Sequence, residues 1–300
     1  MDQSLLVFIA VAEERSFTRA AEALHMTQPA VSQHIQSLEA NLGTKLLDRS
    51  SKYVRLNKAG DIVYHHAKEI SGLHAKMQSL LGDLLHTASG ALSIGASFTF
   101  GEYVLPHMIA CLLVRYPLIT PTITIGNTKD IAALVAARQL DIGIVEGAVP
   151  VQDKLQCEPF AQDAMYVVVG AGHPYAERQD IEAEALRSEH WIVREEGSGT
   201  RTAMEKMFEQ YDIRPTNPMA FGSTQIIKES VEAGLGISLL SEWAVRKEIT
   251  LGTLNRLTID GQPVQRDFSI ITQRDAFHTK AAELFIEMVR AREGMPQQPA

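Results

Sequence analysis

Residues 15–60 read RSFTRAAEALHMTQPAVSQHIQSLEANLGTKLLDRSSKYVRLNKAG. Thr18 is a suitable N-cap for the run Arg19–Leu24, whose alanines permit close helix packing and whose Leu24 points inward. His25 and Met26 make a turn, and Thr27 caps a second helix that carries Gln28 and Pro29 in its first turn, where proline loses no intrahelical bond. Val31, Ile35, Leu38 and Leu42 then recur at spacings of four, three and four, which predicts one buried stripe. Gln28, Ser32, Gln33 and Gln36 fall on the opposite face. Upstream, Leu5, Phe8, Ile9 and Ala12 form the stripe of a preceding helix.

Two helices and a turn are a weak signal alone, because many helical hairpins imitate them. Here the pattern continues through Lys45–Arg49, a Ser50-Ser51-Lys52 turn and Tyr53–Leu56, which read as a two-stranded basic hairpin. Arg49, Lys52 and Arg55 lie where nucleic-acid phosphates would run, and Thr18 and Arg19 are expected among the DNA-binding residues. Glutamine can pair bidentately with adenine and serine can serve either base type. The carbons of Pro29 and Ala30 can touch a thymine methyl, and Thr27 stands beside them. The combination predicts a helix that enters a DNA major groove and a wing on the backbone next to it.

The segment resembles the winged helix of LysR-type transcriptional regulators. The matching signature runs FTRAAEAL (17–24), TQPAVSQHIQSLE (27–39), LGTKLLDR (42–49) and LNKAG (56–60). Length, domain order and later motifs extend the resemblance over essentially the whole chain, and the GSGTR segment at 197–201 resembles that of regulators of cysteine or sulfite metabolism and of carbon fixation. Leu47 stands where an aromatic residue is usual and Asn57 where threonine is usual, although Asn57 still serves as an N-cap. The resemblance implies an α/β architecture: an N-terminal winged helix-turn-helix over 1–58, a dimerising linker helix over 59–88, and a two-lobed periplasmic-binding-protein-like effector domain over 89–300. Lobe I then takes 91–161 and 267–292, and lobe II takes 162–266. It also implies a homotetramer built through the effector domains.

Composition agrees with a soluble cytoplasmic protein. Three hundred residues suit two domains or more. No apolar run approaches the roughly 20 residues needed to span a bilayer, and charges at Asp2, Glu13, Glu14 and Arg15 break any leader pattern. The net charge of −8 looks wrong for a DNA binder. Residues 1–58, however, hold seven Lys/Arg against six Asp/Glu, and the positive groups gather in the wing, so the local field decides. Cys111 and Cys157 cannot make a disulfide framework, and their apolar neighbours predict buried reduced thiols.

From 59 to 87 there is no proline, and His66, Ile70, Leu73, Met77, Leu80 and Leu84 alternate by fours and threes, the spacing of a coiled-coil seam. Gly72 and Gly82 weaken this helix by about 1 kcal/mol each. A long helix after so small a domain has little to pack on, so pairing with a second copy is expected. Such a pair would present two recognition helices to a near-palindromic site.

Beyond Ser89-Gly90, short apolar strands alternate with amphipathic helices, the signal of an α/β domain. Strands are expected near 91–97, 121–126, 141–146, 164–170, 190–194, 219–222, 237–240 and 267–272. Helices are expected near 101–115, 129–138, 180–187, 200–210, 224–234, 242–247 and 276–292. Ligands in such sheets lie beyond the carboxyl ends of strands, at helix N-termini. Four strand ends carry suitable groups: Ser97-Phe98-Thr99, Gly126-Asn127-Thr128, Arg194 with Ser198-Gly199-Thr200-Arg201, and Ser223-Thr224. Their hydroxyls, amides and guanidiniums suit a small anion such as a sulfur oxyanion or a small carboxylate. Glu146 and Glu196 sit awkwardly for that purpose and are expected to face hinges or to pair with Arg194 or Arg201.

Enzyme readings fail on residues. Gly197-Ser198-Gly199 is not a nucleophile elbow, no phosphate-binding P-loop occurs, and no coherent nucleophile–base set appears. His65, His66 and His74 do not share a metal-binding face, so neither a metal nor a cofactor is expected. A transport-type receptor would leave the wing unexplained. The reading is a ligand-switched DNA-binding regulator, with promoter DNA, a small anion, copies of itself and RNA polymerase as partners and no membrane. The C-terminal MPQQPA reads as a disordered tail.

Overall fold

The computed structural model describes residues 2–49, 53–83, 88–147, 149, 153–274 and 277–296. The chain divides into two compact units, Met1–Leu84 and Leu85–Ala300.

The first unit holds α1 (Gln3–Glu14), α2 (Phe17–Ala23), α3 (Gln28–Leu42), a two-stranded antiparallel ribbon of β1 (Leu47–Arg49) and β2 (Val54–Leu56), and α4 (Lys58–Asp83). Its core unites Val7, Phe8 and Val11 of α1 with Ala20 and Ala21 of α2, Val31, Ile35 and Leu38 of α3, and Leu46 and Leu47. Each large apolar side chain buried there contributes about 1.5–3 kcal/mol. Helix α2 begins earlier than the sequence suggests. Ser16, not Thr18, is its cap, with Ser16 Oγ accepting from Arg19 N at 3.3 Å, because Phe17 already packs on the core. Thr27 occupies the N-cap position of α3 without a side-chain cap bond.

The buried stripe of α3 stops at Leu38. Gly43 ends the helix in the left-handed region (φ 67°), and Leu42 is left 47% exposed. Glu39 replaces it as the buried member. Its carboxylate accepts from Leu46 N at 3.0 Å and from Lys45 Nζ at 2.9 Å, which fastens the end of α3 to the entry of β1. Asn57 Oδ1 accepts from Gly60 N at 2.9 Å and so caps α4. A Cβ on Gly60 would lie 2.1 Å from the Leu46 carbonyl oxygen, so only glycine lets α4 pass this close.

The second unit continues with β3 (Gly90–Ser97), α5 (Phe98–Tyr103), α6 (Leu105–Arg115), β4 (Ile119–Gly126), α7 (Thr128–Ala136), β5 (Ile142–Glu146), β6 (Leu155–Gly170), β7 (Asp180–Ile181), a 3-10 turn (Ala183–Ser188), β8 (Ile192–Arg194), α8 (Gly199–Gln210), β9 (Met219–Phe221), α9 (Thr224–Glu232), β10 (Ser238–Ser241), α10 (Glu242–Leu251), β11 (Leu254–Ile259), β12 (Val264–Gln273) and α11 (Lys280–Arg290). Strands β3, β4 and β5 pair in parallel, and β5 joins β12. Strand β12 runs antiparallel to β6 along its whole length, and β6 then pairs with β10 and β11. The two long strands therefore stitch two apolar cores together. One core holds Ile94, Phe100, Met108, Ile144, Phe268 and Phe285; the other holds Met165, Val167, Trp191, Met204, Leu239 and Leu257.

Several local expectations change. The helix expected over 101–115 is two helices, because Pro106 lacks an N–H and interrupts the ladder at Val104. The helix expected over 180–187 is the short β7 and the 3-10 turn. Strand β11 was not anticipated at all, since LNRLTI follows a helix closely and carries arginine and asparagine. Strand β6 starts nine residues before position 164; Pro159, which cannot donate to the ladder, pairs with Ser269 beside a register shift at Phe268/Ser269. Cys111 is half-buried and Cys157 is exposed, because Cys157 lies on a solvent-facing position of the strand. Leu84, Ser50 to Lys52 and residues 297–300 of the expected tail lie outside the described residues.

Candidate functional site

In the first unit, α3 presents Thr27, Gln28, Pro29, Gln33 and Gln36 to solvent, with Ala30 and Ser32 half-exposed, directly opposite buried Val31, Ile35 and Leu38. Gln28 Nε2 donates to Ser32 Oγ at 3.0 Å, which holds both groups at the start of the helix. Thr18 and Arg19 are exposed on α2, and Arg19 donates to the Glu14 carbonyl and faces the Glu14 carboxylate at 3.4 Å. Arg55 lies on β2, 3.2 Å from Asp48 Oδ2, with its guanidinium 5.2 Å from the Tyr53 ring centre. Arg49 ends β1, its side chain outside the described set, as is the whole of Lys52. These exposed pairs hold little energy and are easily exchanged for phosphates.

In the second unit, hydrogen bonds bring the polar strand ends together. Gly126 closes β4, and Asn127 caps α7, its Oδ1 accepting from Asp130 N at 2.9 Å. Lys129 N donates to Gly197 O at 3.2 Å, joining the start of α7 to the turn before α8. A Cβ on Gly199 would lie 2.0 Å from the Glu146 carbonyl oxygen, so glycine is required where α8 meets the end of β5. Ser97, Thr99, Thr128, Ser198, Thr200 and Thr224 are all buried, and Phe98, Arg201 and Ser223 are half-buried. The N-caps Ser97, Ser198 and Ser223 make no side-chain cap bond, unlike Asn127. Ser97 Oγ instead donates to Ile144 O at 3.4 Å, and Thr128 Oγ1 donates to Glu146 O at 3.0 Å.

The arginines are arranged differently from the expectation. Arg194 is buried and already satisfied: Nε and Nη2 donate to the Glu195 carboxylate at 2.7 and 2.9 Å, Nη1 donates to Thr224 Oγ1 at 3.0 Å, and Phe98 lies 4.5 Å beneath the guanidinium. Arg201 turns along its own helix to Glu205 (2.6 Å) and to the Arg194 carbonyl (3.2 Å). Glu196 is exposed, and Glu146 pairs with neither Arg194 nor Arg201.

Glu146 pairs with Arg266, a residue that sequence reasoning missed. Arg266 lies on β12 opposite Asp163 of β6, where the paired long strands pass between the cores. Its Nη1 is 2.8 Å from Glu146 Oε2, and its Nε and Nη2 are both 2.7 Å from Asp163 Oδ2. Nη1 also donates to Thr200 Oγ1 at 2.9 Å and Nη2 to Thr99 Oγ1 at 3.0 Å. Asp163 Oδ1 accepts from Ser241 Oγ at 2.6 Å, and Glu146 Oε1 accepts from Phe100 N at 3.1 Å. Burial pushes the Asp163 carboxyl up to about 6, against the opposing pull of Arg266 and Ser241. Arg266 is raised: burial opposes its charge, and the Glu146 and Asp163 carboxylates outweigh it. The usable signal was a charge inside an otherwise apolar strand, Asp163 before Met165–Val169 and Arg266 before Phe268–Ile271, since such charges are buried only when paired.

Among the described residues no cluster suits a metal ion and no helix is long and apolar enough to cross a membrane. Residues 3–61 match the bacterial regulatory helix-turn-helix protein family of lysR type, and residues 86–294 match the LysR substrate binding domain. The chain is 38% identical over 287 residues to the HTH-type transcriptional regulator CysL of Bacillus subtilis, covering 96% of each. It is 34% identical over 290 residues to a probable RuBisCO transcriptional regulator of Chlorokybus atmophyticus, covering 95% of this chain and 92% of that one. A solved structure, the CcmR regulatory domain of Synechocystis in complex with 2-PG, is similar with a TM-score of 0.64 at 26% identity, covering 71% of this chain and 100% of that one.

Proposed function

The chain belongs to the LysR family, whose matched members are transcriptional regulators rather than enzymes; from that premise we propose that it reads near-palindromic promoter sites as a dimer and is switched by a small anion held between its lobes. The observation that carries the DNA half is the face of α3. Gln28, Gln33 and Gln36 are exposed there while Val31, Ile35 and Leu38 hold the other side in the core. Exposed amides at the start of a helix, beside a basic ribbon, are what base-edge readout in a major groove requires.

Dimerisation falls to α4. Ile62, Ile70, Leu73 and Met77 are 42–58% exposed along this helix, an apolar stripe that a second copy would cover. Two winged helices would then address two half-sites, and further pairing of the second units would give a tetramer. The residues 1–58, 59–88 and 89–300 serve as reading head, dimer helix and effector domain, with lobe I over 91–161 and 267–292 and lobe II over 162–266. The effector would meet Ser97, Thr99, Thr128, Ser198, Gly199, Thr200 and Ser223, where both lobes bring hydroxyls and helix N-termini together. A sulfur oxyanion or a small carboxylate fits that chemistry. Its effect on DNA bending and on RNA polymerase requires that it favour one lobe arrangement, since a ligand of equal affinity for both shifts nothing. The setting is the cytoplasm of the host.

Gel-shift titration of the full chain on the DNA upstream of its own gene tests this reading. Salt-sensitive binding that exceeds binding to scrambled duplex supports it; equal binding to both removes it. A thermal-shift panel of sulfur oxyanions and small carboxylates tests the effector half.

A further inference from the structure

We infer that the groove between α8 and the paired strands β6 and β12 is a second binding site, one that takes a short peptide with free ends. The groove holds about 710 Å³, and small-molecule sites span roughly 300–1,000 Å³. Thr202, Lys206 and Gln210 of α8 form one wall. They lie about a turn apart, so the wall runs for roughly 12 Å. None of Ser97, Thr99, Thr128, Ser198 and Thr200 lines the groove, so it stands apart from the proposed effector site and does not depend on that reading.

The groove combines an apolar lining with polar tips. Met207 is buried, Val264 is half-buried, and Pro159 faces Ser269 where the β6–β12 ladder shifts register. Such irregularities recur beside binding sites, where they re-aim side chains. Arg266 reaches the groove too, but its guanidinium is committed to Glu146 and Asp163. The charges left to a ligand are one ammonium, Lys206, and one carboxylate, Asp267. Both are exposed, and neither side chain has an ion-pair or hydrogen-bond partner among the described residues. Several other charged groups of the second unit pair with each other: Arg115 with Glu293, Lys228 with Glu248, Arg290 with Glu158.

Those two charges select the ligand class. One cation and one anion on a common groove suit a molecule bearing both a carboxylate and an ammonium, whereas a bare anion or a bare cation would face a like charge. The side-chain amides of Gln210, Gln262 and Gln265 also line the groove, without side-chain partners among the described residues. An amide both donates and accepts, as a peptide bond does. An extended chain covers about 3.3–3.6 Å per residue, so about three residues match the length of the α8 wall. Charged ends for Lys206 and Asp267, peptide groups for the glutamines and small apolar side chains for Met207 and Val264 together describe a tripeptide.

Trialanine is the probe, since its side chains demand no pocket of their own. Calorimetric titration of the full chain should show it binding. Capping either end, as N-acetyl-trialanine or as trialanine amide, should weaken binding about 5-fold, the worth of one solvent-accessible charge pair. The substitutions should act crosswise. Lys206→Met should make trialanine and its amide bind alike while the N-acetyl form stays weaker. Asp267→Asn should make trialanine and the N-acetyl form bind alike while the amide stays weaker. Both side chains are exposed, so both variants keep the fold. Absence of trialanine binding by the unmodified chain, or binding without the crosswise pattern, overturns the inference and leaves the effector reading untouched.

Discussion

On α3, Gln33 and Gln36 face solvent with no hydrogen bond to the rest of the protein among the described residues, and Gln28 is tied only to its helix neighbour Ser32. In the second unit, Thr99, Thr128, Thr200, Arg194 and Arg266 are buried and hydrogen-bonded, Thr128 to the Glu146 carbonyl, Arg194 to Glu195 and Thr224, and Arg266 to Asp163, Thr99 and Thr200. The first surface is ready to exchange water for a base edge at little cost. The second is a closed network, where removing a member leaves partners stranded. The proposed reading surface and the proposed effector site thus use similar side chains in different states, one solvated and one buried and bonded. Sensitivity to mutation should follow that difference: folding at the buried cluster, selectivity at the helix.

The largest effect is expected at the buried Arg266 cluster. Arg266→Met leaves Glu146 and Asp163 buried without a countercharge, and urea denaturation should show a loss of about 3–5 kcal/mol. A loss below about 1 kcal/mol would mean the network is not closed in solution.

Next comes pH. Burial raises the Asp163 carboxyl to about 6, so between its unfolded value and that point the folded chain holds a proton the unfolded chain has released. This group's contribution is fully present at lower pH and is lost as pH rises through about 6, a change of about 3 kcal/mol. Comparing urea midpoints at pH 5 and pH 7 in the native chain and in Asp163→Asn captures somewhat under half of it, about 1.3 kcal/mol, because the loss begins near pH 4. The variant should lose this component of the pH dependence, and an identical profile in both contradicts the assignment.

At the reading helix, Gln28→Ala should leave the denaturation midpoint unchanged and reduce discrimination between matched and mismatched duplexes by about 1–3 kcal/mol. Equal weakening on all duplexes would remove its base-reading role. The smallest effect belongs to the wing. Arg55→Ala should weaken every duplex alike and lower the slope of log affinity against log salt by about 1. A sequence-dependent loss there would erase the division of labour between helix and wing.

The same contrast explains what the amino-acid order revealed. The reading helix is a local object. The Pro29 start, the Gly43 stop and the Val31–Ile35–Leu38 stripe lie within fifteen or so positions, and capping and periodicity express them directly. Local reading still erred where tertiary packing intervened: Phe17 docks on the core and moves the cap from Thr18 to Ser16, and Glu39 takes the buried place expected of Leu42. The buried cluster is a non-local object. Its hydroxyls could be found because strand ends and helix starts are legible, but Arg266 is 103 positions from Asp163 and 167 from Thr99. Only the antiparallel register of β6 and β12 brings them together. Arg194 looked available because its neighbour Glu195 was not recognised as its partner.

The central claim is that the α3 face reads bases. Fluorescence anisotropy of the full chain on a labelled upstream duplex and on its scrambled counterpart, across a salt series, for the native chain and Gln28→Ala, tests it most directly. The account predicts tighter binding to the upstream duplex, loosened by salt, with most of that preference lost in the variant. A preference that survives Gln28→Ala undiminished, or no preference in the native chain, would contradict it.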